Sequence, residues 1–193
     1  ELRANLPQQV RRVLDDPRSA GFARNFTGQW LQARDVEGIA INARAVLRRE
    51  DSRARIELDR DLRRAMREET ELFFDSIVRE DRSVLDLIDS DYTFLNEKLA
   101  GHYGIPGVEG KEMRRVTLPA GHPRGGLLTQ GTVLTVTSNP TRTSPVKRGL
   151  FILENILGTP PPPPPPDVPE LEAAEKQFPD HEPSLRELME AHR

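Results

Sequence analysis

The chain has 193 residues, enough to bury a hydrophobic core and to fill one or two domains. Its 28 basic and 31 acidic side chains nearly cancel and interleave along the whole length, so no long-range field gathers nucleic acid or an anionic membrane. There are no cysteines, which excludes disulfides, thiolate metal sites, thiol nucleophiles and covalent haem attachment within these residues.

No apolar run approaches the roughly 20 residues that span a bilayer, and the opening ELRANLPQQV lacks the charged-then-apolar order of a signal peptide. The chain starts without Met and stops inside a helical pattern, so it reads as a piece of something longer.

From Pro7 to Leu14, Val10, Val13 and Leu14 recur at helical spacing. Asp15-Asp16-Pro17 then closes one helix and opens the next, with Asp16 as N-cap and Pro17 in the first position. In the second helix Phe22, Phe26, Trp30 and Leu31 share a face, read as packed core in preference to a cofactor wall. Residues 35–52 read as a connection. From Ile56 to Asp81 the helical pattern returns, with Leu58, Leu62, Met66, Phe73 and Ile77 along one side and Asp59/Arg63, Arg64/Glu68 and Arg67/Glu71 as flanking charge pairs. Glu68, Glu69 and Glu71 raise the idea of a carboxylate metal site. No His stands three residues after a Glu there, so they read as a solvated face.

Ser83 caps a short helix reaching Ile88, and Asp91 or Thr93 is expected to cap another over TFLNEKLAGHYG, which Gly101 or Gly104 ends. His102 has no second ligand at metal spacing. Met113 to Leu118 reads as a strand, and the GHPRGG that follows lacks the Lys-Ser/Thr of a phosphate loop. Leu127 to Thr137 stays open between strand and capped helix, because β-branched content argues one way and Thr129 as a cap the other. Ser144 and Pro145 start a helix that Gly158 stops. Arg148 lies in its first turns, where a cation opposes the helix dipole, so Arg148 or Arg142 is expected to meet a carboxylate or a row of carbonyls. Pro160 to Pro166 is a run of seven prolines, expected as a polyproline spacer of about 20 Å. Ser184 caps a final helix, SLRELMEAHR.

The fold class expected is mainly α: a helical bundle with long loops, at most a short strand near 113–118, and an extended polyproline segment. No Ser, His and acid set converges in sequence, so the residues offer no catalytic constellation and leave open whether the chain is an enzyme.

The words RGGLLTQGTVLTVTSNPTRTSPVKRG, LENILGTPPPPPPPDVPEL and LRELMEAHR resemble those of a family of bacterial proteins best known from planctomycetes. These are large exported proteins that join domains of unknown function to c-type cytochrome modules. The upstream words FTGQWL and LRRAMREETELFFDSIVREDRSVLDLIDSDYTFLNEKLAGHYGI resemble the domain that precedes the cytochrome module. The resemblance implies a helical domain over 1–118 and the start of a cytochrome module over 119–193, including the polyproline arm 160–166. It favours a short helix around 127–137. It marks Arg124, Gly125, Gly126, Ser144, Pro145, Arg148 and Gly149 as a structural motif. In that family a Cys-x-x-Cys-His site follows the last helix, so haem c is implied for the parent protein and none for these residues, with His192 as a candidate haem contact.

The function implied is a non-catalytic scaffold segment of an exported, periplasmic or cell-surface multidomain c-type cytochrome that supports electron transfer, with the downstream haem module of the same chain as partner. The alternative is a cell-surface module that binds a protein or carbohydrate partner of the envelope and uses the polyproline run as a spacer. Neither reading involves nucleic acid or a membrane span.

Overall fold

The computed structural model describes residues 2–42 and 58–163, and towards the C-terminus residues 174, 177–179, 181 and 183–191. They are mainly α-helical, with one small sheet of two strands. Compact packing divides the chain into a unit of Glu1–Thr159 and a unit of Pro160–Arg193.

In the first unit α1 spans Leu2–Leu14, starting five residues before the Pro7 where the sequence pattern placed it, with Pro7 inside. Its C-terminal end is tied down where the Leu14 carbonyl accepts from Ser19 Oγ at 2.8 Å and from Arg79 Nη1 at 2.5 Å. Its apolar stripe is not covered: Leu6, Val10 and Val13 are 54%, 48% and 54% exposed. Asp16 and Pro17 start the next element as expected, Asp16 Oδ1 accepting from Arg18 N at 2.9 Å, although the chain makes one tight turn at Pro17–Ser19 before α2, Ala20–Trp30.

The aromatic face of α2 is only partly core. Leu31 is fully buried, while Phe22 and Phe26 remain 50% and 41% exposed. Phe22, Phe26 and Trp30 lie against Phe74, the Phe26 and Phe74 rings stacked at 5.0 Å. Ala23 and Thr27, one step round the helix, take the inward face.

Helix α3, Arg60–Arg79, is the axis of the unit. Asp59 caps it by accepting from Leu62 N at 2.9 Å. The expected Asp59/Arg63 pair does not form, because Asp59 also pairs with Lys98 while Arg63 donates to the Leu58, Val36 and Ile39 carbonyls. Arg64/Glu68 and Arg67/Glu71 do pair, at 2.8 and 3.7 Å. Leu62, Ala65 and Met66 feed one buried cluster with Val36, Leu95 and Leu99, whereas Phe73 and Ile77 feed a second with Leu31, Leu127, Val133 and Phe151. Between Met66 and Phe73 the inward side of α3 carries Glu69 and Thr70, polar and just as deeply buried.

Ser83 caps the tight turn Val84–Leu87. Strand β1, Tyr92–Leu95, then pairs antiparallel with β2, Arg114–Thr117, bringing Tyr92 opposite Thr117 and Leu95 opposite Arg114. The strand near 113–118 is present, but its partner replaces the helix start expected at Asp91 or Thr93. Aromatic and β-branched Tyr-Thr-Phe suits a pleated, half-buried surface, and the cap proves to be Asn96, which accepts from Leu99 N at 2.9 Å to open α4, Glu97–Tyr103. Gly104, at φ 72°, ends α4.

The open stretch 127–137 is a tight turn, Leu127–Thr129, followed by α5, Gly131–Val136. Ser144 and Pro145 start α6, Pro145–Phe151, with Ser144 Oγ accepting from Lys147 N at 3.3 Å. A π-helical turn at Ile152–Ile156 continues α6, and Gly158 at φ 62° follows it.

In the second unit α7 spans Leu185–Ala191. Ser184 and Glu187 cap each other, Glu187 Oε2 accepting from Ser184 N at 2.7 Å and Ser184 Oγ from Glu187 N at 3.3 Å. Pro160–Pro163 are described and lie outside any helix or strand, whereas Pro164–Pro166 fall outside the described residues.

Candidate functional site

Residues 124–136 lie against the backbone that precedes β1, and two glycines make that approach possible. A Cβ on Gly126, whose φ is 71°, would stand 2.3 Å from the Ile88 oxygen; one on Gly125 would stand 2.8 Å from the Ser90 oxygen. Thr129 Oγ1 closes the turn, accepting from Gly125 N at 2.9 Å and lying 3.0 Å from the Gly126 carbonyl.

The next three residues are bonded to α3 and α4. Thr70 Oγ1 donates to Gln130 Oε1 at 2.8 Å, and Thr132 Oγ1 donates to the Met66 carbonyl at 2.7 Å. Between them Gly131 N donates to the Tyr103 hydroxyl at 2.6 Å. A side chain at Gly131 would collide with that hydroxyl and with Met66 Cγ, each at 2.8 Å.

Glu69 stands at the centre, 1% exposed. Thr93 Oγ1 is bonded to its Oε1 and Tyr103 Oη to its Oε2, both at 2.6 Å. Burial raises its carboxyl to about 7 from an ordinary 4.5, against the opposing pull of the Thr93 and Tyr103 hydrogen bonds and the Arg124 charge. Tyr103 is pushed well above its usual range, first by burial and then by the neighbouring Glu69. The Arg124 guanidinium lies over the Tyr103 ring, 3.6 Å from its centre, and donates from Nη1 to the Thr129 carbonyl at 2.5 Å. Gln130 Nε2 is buried and finds no partner among the described residues.

A second tie lies at α2. Trp30 Nε1 donates to the Asn155 carbonyl and Asn155 Nδ2 donates back to the Trp30 carbonyl, both at 2.6 Å. Asn155 can face Trp30 because it sits in the π-helical turn, where one extra residue re-aims the side chains.

Of the residues marked from sequence, Arg124, Gly125 and Gly126 fall in this joint. Ser144 and Pro145 cap α6, while Arg148 sends Nε towards Thr137 Oγ1 at 3.4 Å, meeting a hydroxyl where a carboxylate or carbonyls were expected. Arg124, in the joint itself, meets the Thr129 carbonyl and acts on the Glu69 carboxyl through space. A Cβ on Gly149 would meet nothing within 4 Å, so no close approach requires glycine there. His192 lies outside the described residues. Glu69 corrects the sequence reading most: expected on a solvated face, it is the most deeply buried charge-bearing residue of α3.

Glu69 has both oxygens occupied by hydroxyls and almost no exposed surface, so it is placed to hold protein groups together and not to meet a substrate. A broad surface groove of about 1110 Å³ runs along the polar side of α3, lined by both signs of charge, among them Arg64, Glu68, Lys98 and Glu112. Among the described residues no three His, Asp or Glu side chains cluster as a metal site would require, and no helix is long and apolar enough to cross a membrane.

Fold and site together define a mainly helical body that buries a carboxyl–phenol pair where two stretches of sequence meet. Residues 1–105 match the family described as PSD4, protein of unknown function (DUF1592); the match takes in more than half of the chain, which therefore belongs to that family. Residues 124–193 match PSCyt3, protein of unknown function (DUF1588). The pairing supports a segment of a planctomycete-type, cytochrome-associated multidomain protein. No curated protein and no solved structure matches the chain.

Proposed function

We propose that these residues are the non-catalytic helical scaffold segment of an exported, multidomain c-type cytochrome, and that they support electron transfer in the parent by bracing the start of its haem module. One observation carries the reading: within the unit Glu1–Thr159, the part of the second family's match from residue 124 onward does not stand apart. It enters the body of the first, through Gly131 on Tyr103, Thr132 on Met66 and Asn155 on Trp30. In this proposal the sequence boundary lies near residue 118, between the two family matches, with the downstream haem module as partner.

The residues present do not themselves fit a haem. Thioether attachment needs cysteine, and the chain has none. The described histidines are engaged elsewhere: His102 beside the Tyr103 ring, His122 accepting from Arg124 N at 3.3 Å, and His181 at Glu187. Haem c is thus proposed for the parent only, with His192 as a candidate contact from this chain. Expression of the parent with its downstream module under c-haem maturation tests the proposal. A covalent haem spectrum is expected, and its absence removes the electron-transfer role.

A protein-binding module is the second reading, drawn from the uncovered Leu6, Val10 and Val13 stripe of α1. If an envelope protein docks there, Val10→Glu abolishes its capture and leaves the fold intact.

A further inference from the structure

We propose that the outer edge of β2 is a docking site for an acidic, extended segment of a partner protein, which adds to the small sheet as a third strand. Such docking is independent of the haem reading, and either can fail without the other.

The β1–β2 ladder leaves that edge open. Leu118 N donates to the Asp91 carbonyl at 2.7 Å, and the same register sets Val116 opposite Thr93 and Arg114 opposite Leu95. Bonded and unbonded pairs alternate along antiparallel strands, so Arg114, Val116 and Leu118 turn their N–H and C=O groups towards β1, while Arg115 and Thr117 turn theirs outward. Both outward residues are exposed, and no group among the described residues bonds their backbone. Two N–H and two C=O groups thus stand in a row at an unpaired edge, the template onto which an extended chain adds.

The flanking side chains select the occupant. Two copies of β2 set edge to edge would bring Arg114 and Arg115 of both onto one short ladder, which like charge opposes. An acidic strand meets the opposite condition. From Met113 to Leu153 the chain holds no Asp or Glu. Arg115 pairs with Glu80 at 2.5 Å, and Arg82, which shares the Tyr92 ring with it, pairs with Asp86 at 2.6 Å. Arg114 has no such partner among the described residues: its Nη2 donates to the Glu109 carbonyl at 2.5 Å, which leaves its charge without a carboxylate. Acids on an added strand would give Arg114 its first carboxylate and Arg115 a second.

An antiparallel third strand is specified position by position. Opposite Thr117 a threonine or valine continues the β-branched row. Opposite Val116, which packs with Met113 against the first buried cluster, an apolar residue extends that cluster. Opposite Arg115 and then Arg114 come two acids. The fitting order from N- to C-terminus is β-branched, apolar, acid, acid.

The test titrates the 193-residue chain with the blocked peptide acetyl-Gly-Thr-Val-Glu-Glu-Gly-amide, followed by the NMR signals of the Arg115 and Thr117 amides. A dissociation constant on the order of 1 mM is expected, about what four ladder bonds support. Lysines in place of both glutamates are expected to weaken binding about tenfold or more. Thr117→Pro removes an outward donor and spares the bonds to β1, and it too is expected to weaken binding about tenfold. Should that variant fail to fold, two N-methylated peptides decide on the unaltered chain. Methyl groups on the threonine and first glutamate amides, which face β2, are expected to abolish binding; on the valine and second glutamate amides, which face away, they are expected to leave it intact. No binding up to about 5 mM, equal binding of the lysine peptide, undiminished binding to Thr117→Pro or equal loss with both methylated peptides overturns the proposal. A dimer of the chain alone that Thr117→Pro dissociates gives the edge to a second copy, and overturns it as well.

Discussion

Gly126→Ala tests whether residues 124–129 truly depend on close backbone approach. Gly126 sits at φ 71° and ψ 178°, a combination that residues with a side chain scarcely adopt, at a conformational cost of about 1–3 kcal/mol. The new Cβ would also lie 2.3 Å from the Ile88 oxygen, 2.5 Å from its carbonyl carbon and 2.7 Å from the Leu87 oxygen. These are backbone atoms and cannot rotate aside, so the 124–129 segment must lift by about 1 Å, adding a few kcal/mol of lost packing. A total above about 4 kcal/mol is expected, at the extreme of single substitutions. Gly104→Ala is the matched control, because Gly104 has nearly the same φ, 72°, with no atom within 4 Å of its Cβ; it is expected to lose only about 1–2 kcal/mol. Urea unfolding followed by Trp30 emission reads both, since Trp30 is bonded to Asn155 in the docked segment. If the two variants differ by less than about 1 kcal/mol with the same slope, close approach at Gly126 is not what fixes this loop.

Tyr103→Phe keeps the ring under Arg124 but strips partners from Glu69 and from Gly131 N; a loss of about 2–4 kcal/mol in denaturant unfolding is expected, with the Glu69 titration moved further upward by infrared. Asn155→Ala removes two hydrogen bonds to Trp30, and about 1–3 kcal/mol should be lost together with a shift of Trp30 emission towards water-exposed values. Val13→Ser, on the uncovered stripe of α1, should change stability by less than about 0.5 kcal/mol in thermal melts; a larger loss would mean that the stripe is packed. Raising the pH of the unmodified chain from about 5 to about 8 should remove on the order of 3 kcal/mol through Glu69 alone, measured as the difference from E69Q.

Burial of Glu69 was legible in the sequence, though not read there. The apolar row Leu62, Met66, Phe73, Ile77 leaves a gap between Met66 and Phe73, and helical geometry puts Glu69 and Thr70 on that same inward side. Charge pairing and the solvated habits of glutamate argued the other way. No local pattern names Thr93, Tyr103 and Gly131 as partners, because they lie 24, 34 and about 60 residues downstream. Strand β1 was hidden for a related reason: four residues of aromatic and β-branched character read equally well as a helix start until β2 pairs with them.

What the sequence determined by itself is what neighbouring residues enforce on one another. The turn at Asp16-Pro17, the helical course of α3, a glycine exit for α4 and the Ser144-Pro145 start of α6 all follow from caps, ring constraints and 3.6-residue spacing that act within a few residues. Only the tertiary structure decided that Glu69 meets Tyr103, that Asn155 clasps Trp30, and that Gly125, Gly126 and Gly131 are glycines because another backbone or side chain occupies the space a Cβ would need. Those facts depend on distances between segments far apart in the chain, and burial of a charge becomes visible only once those segments close over it.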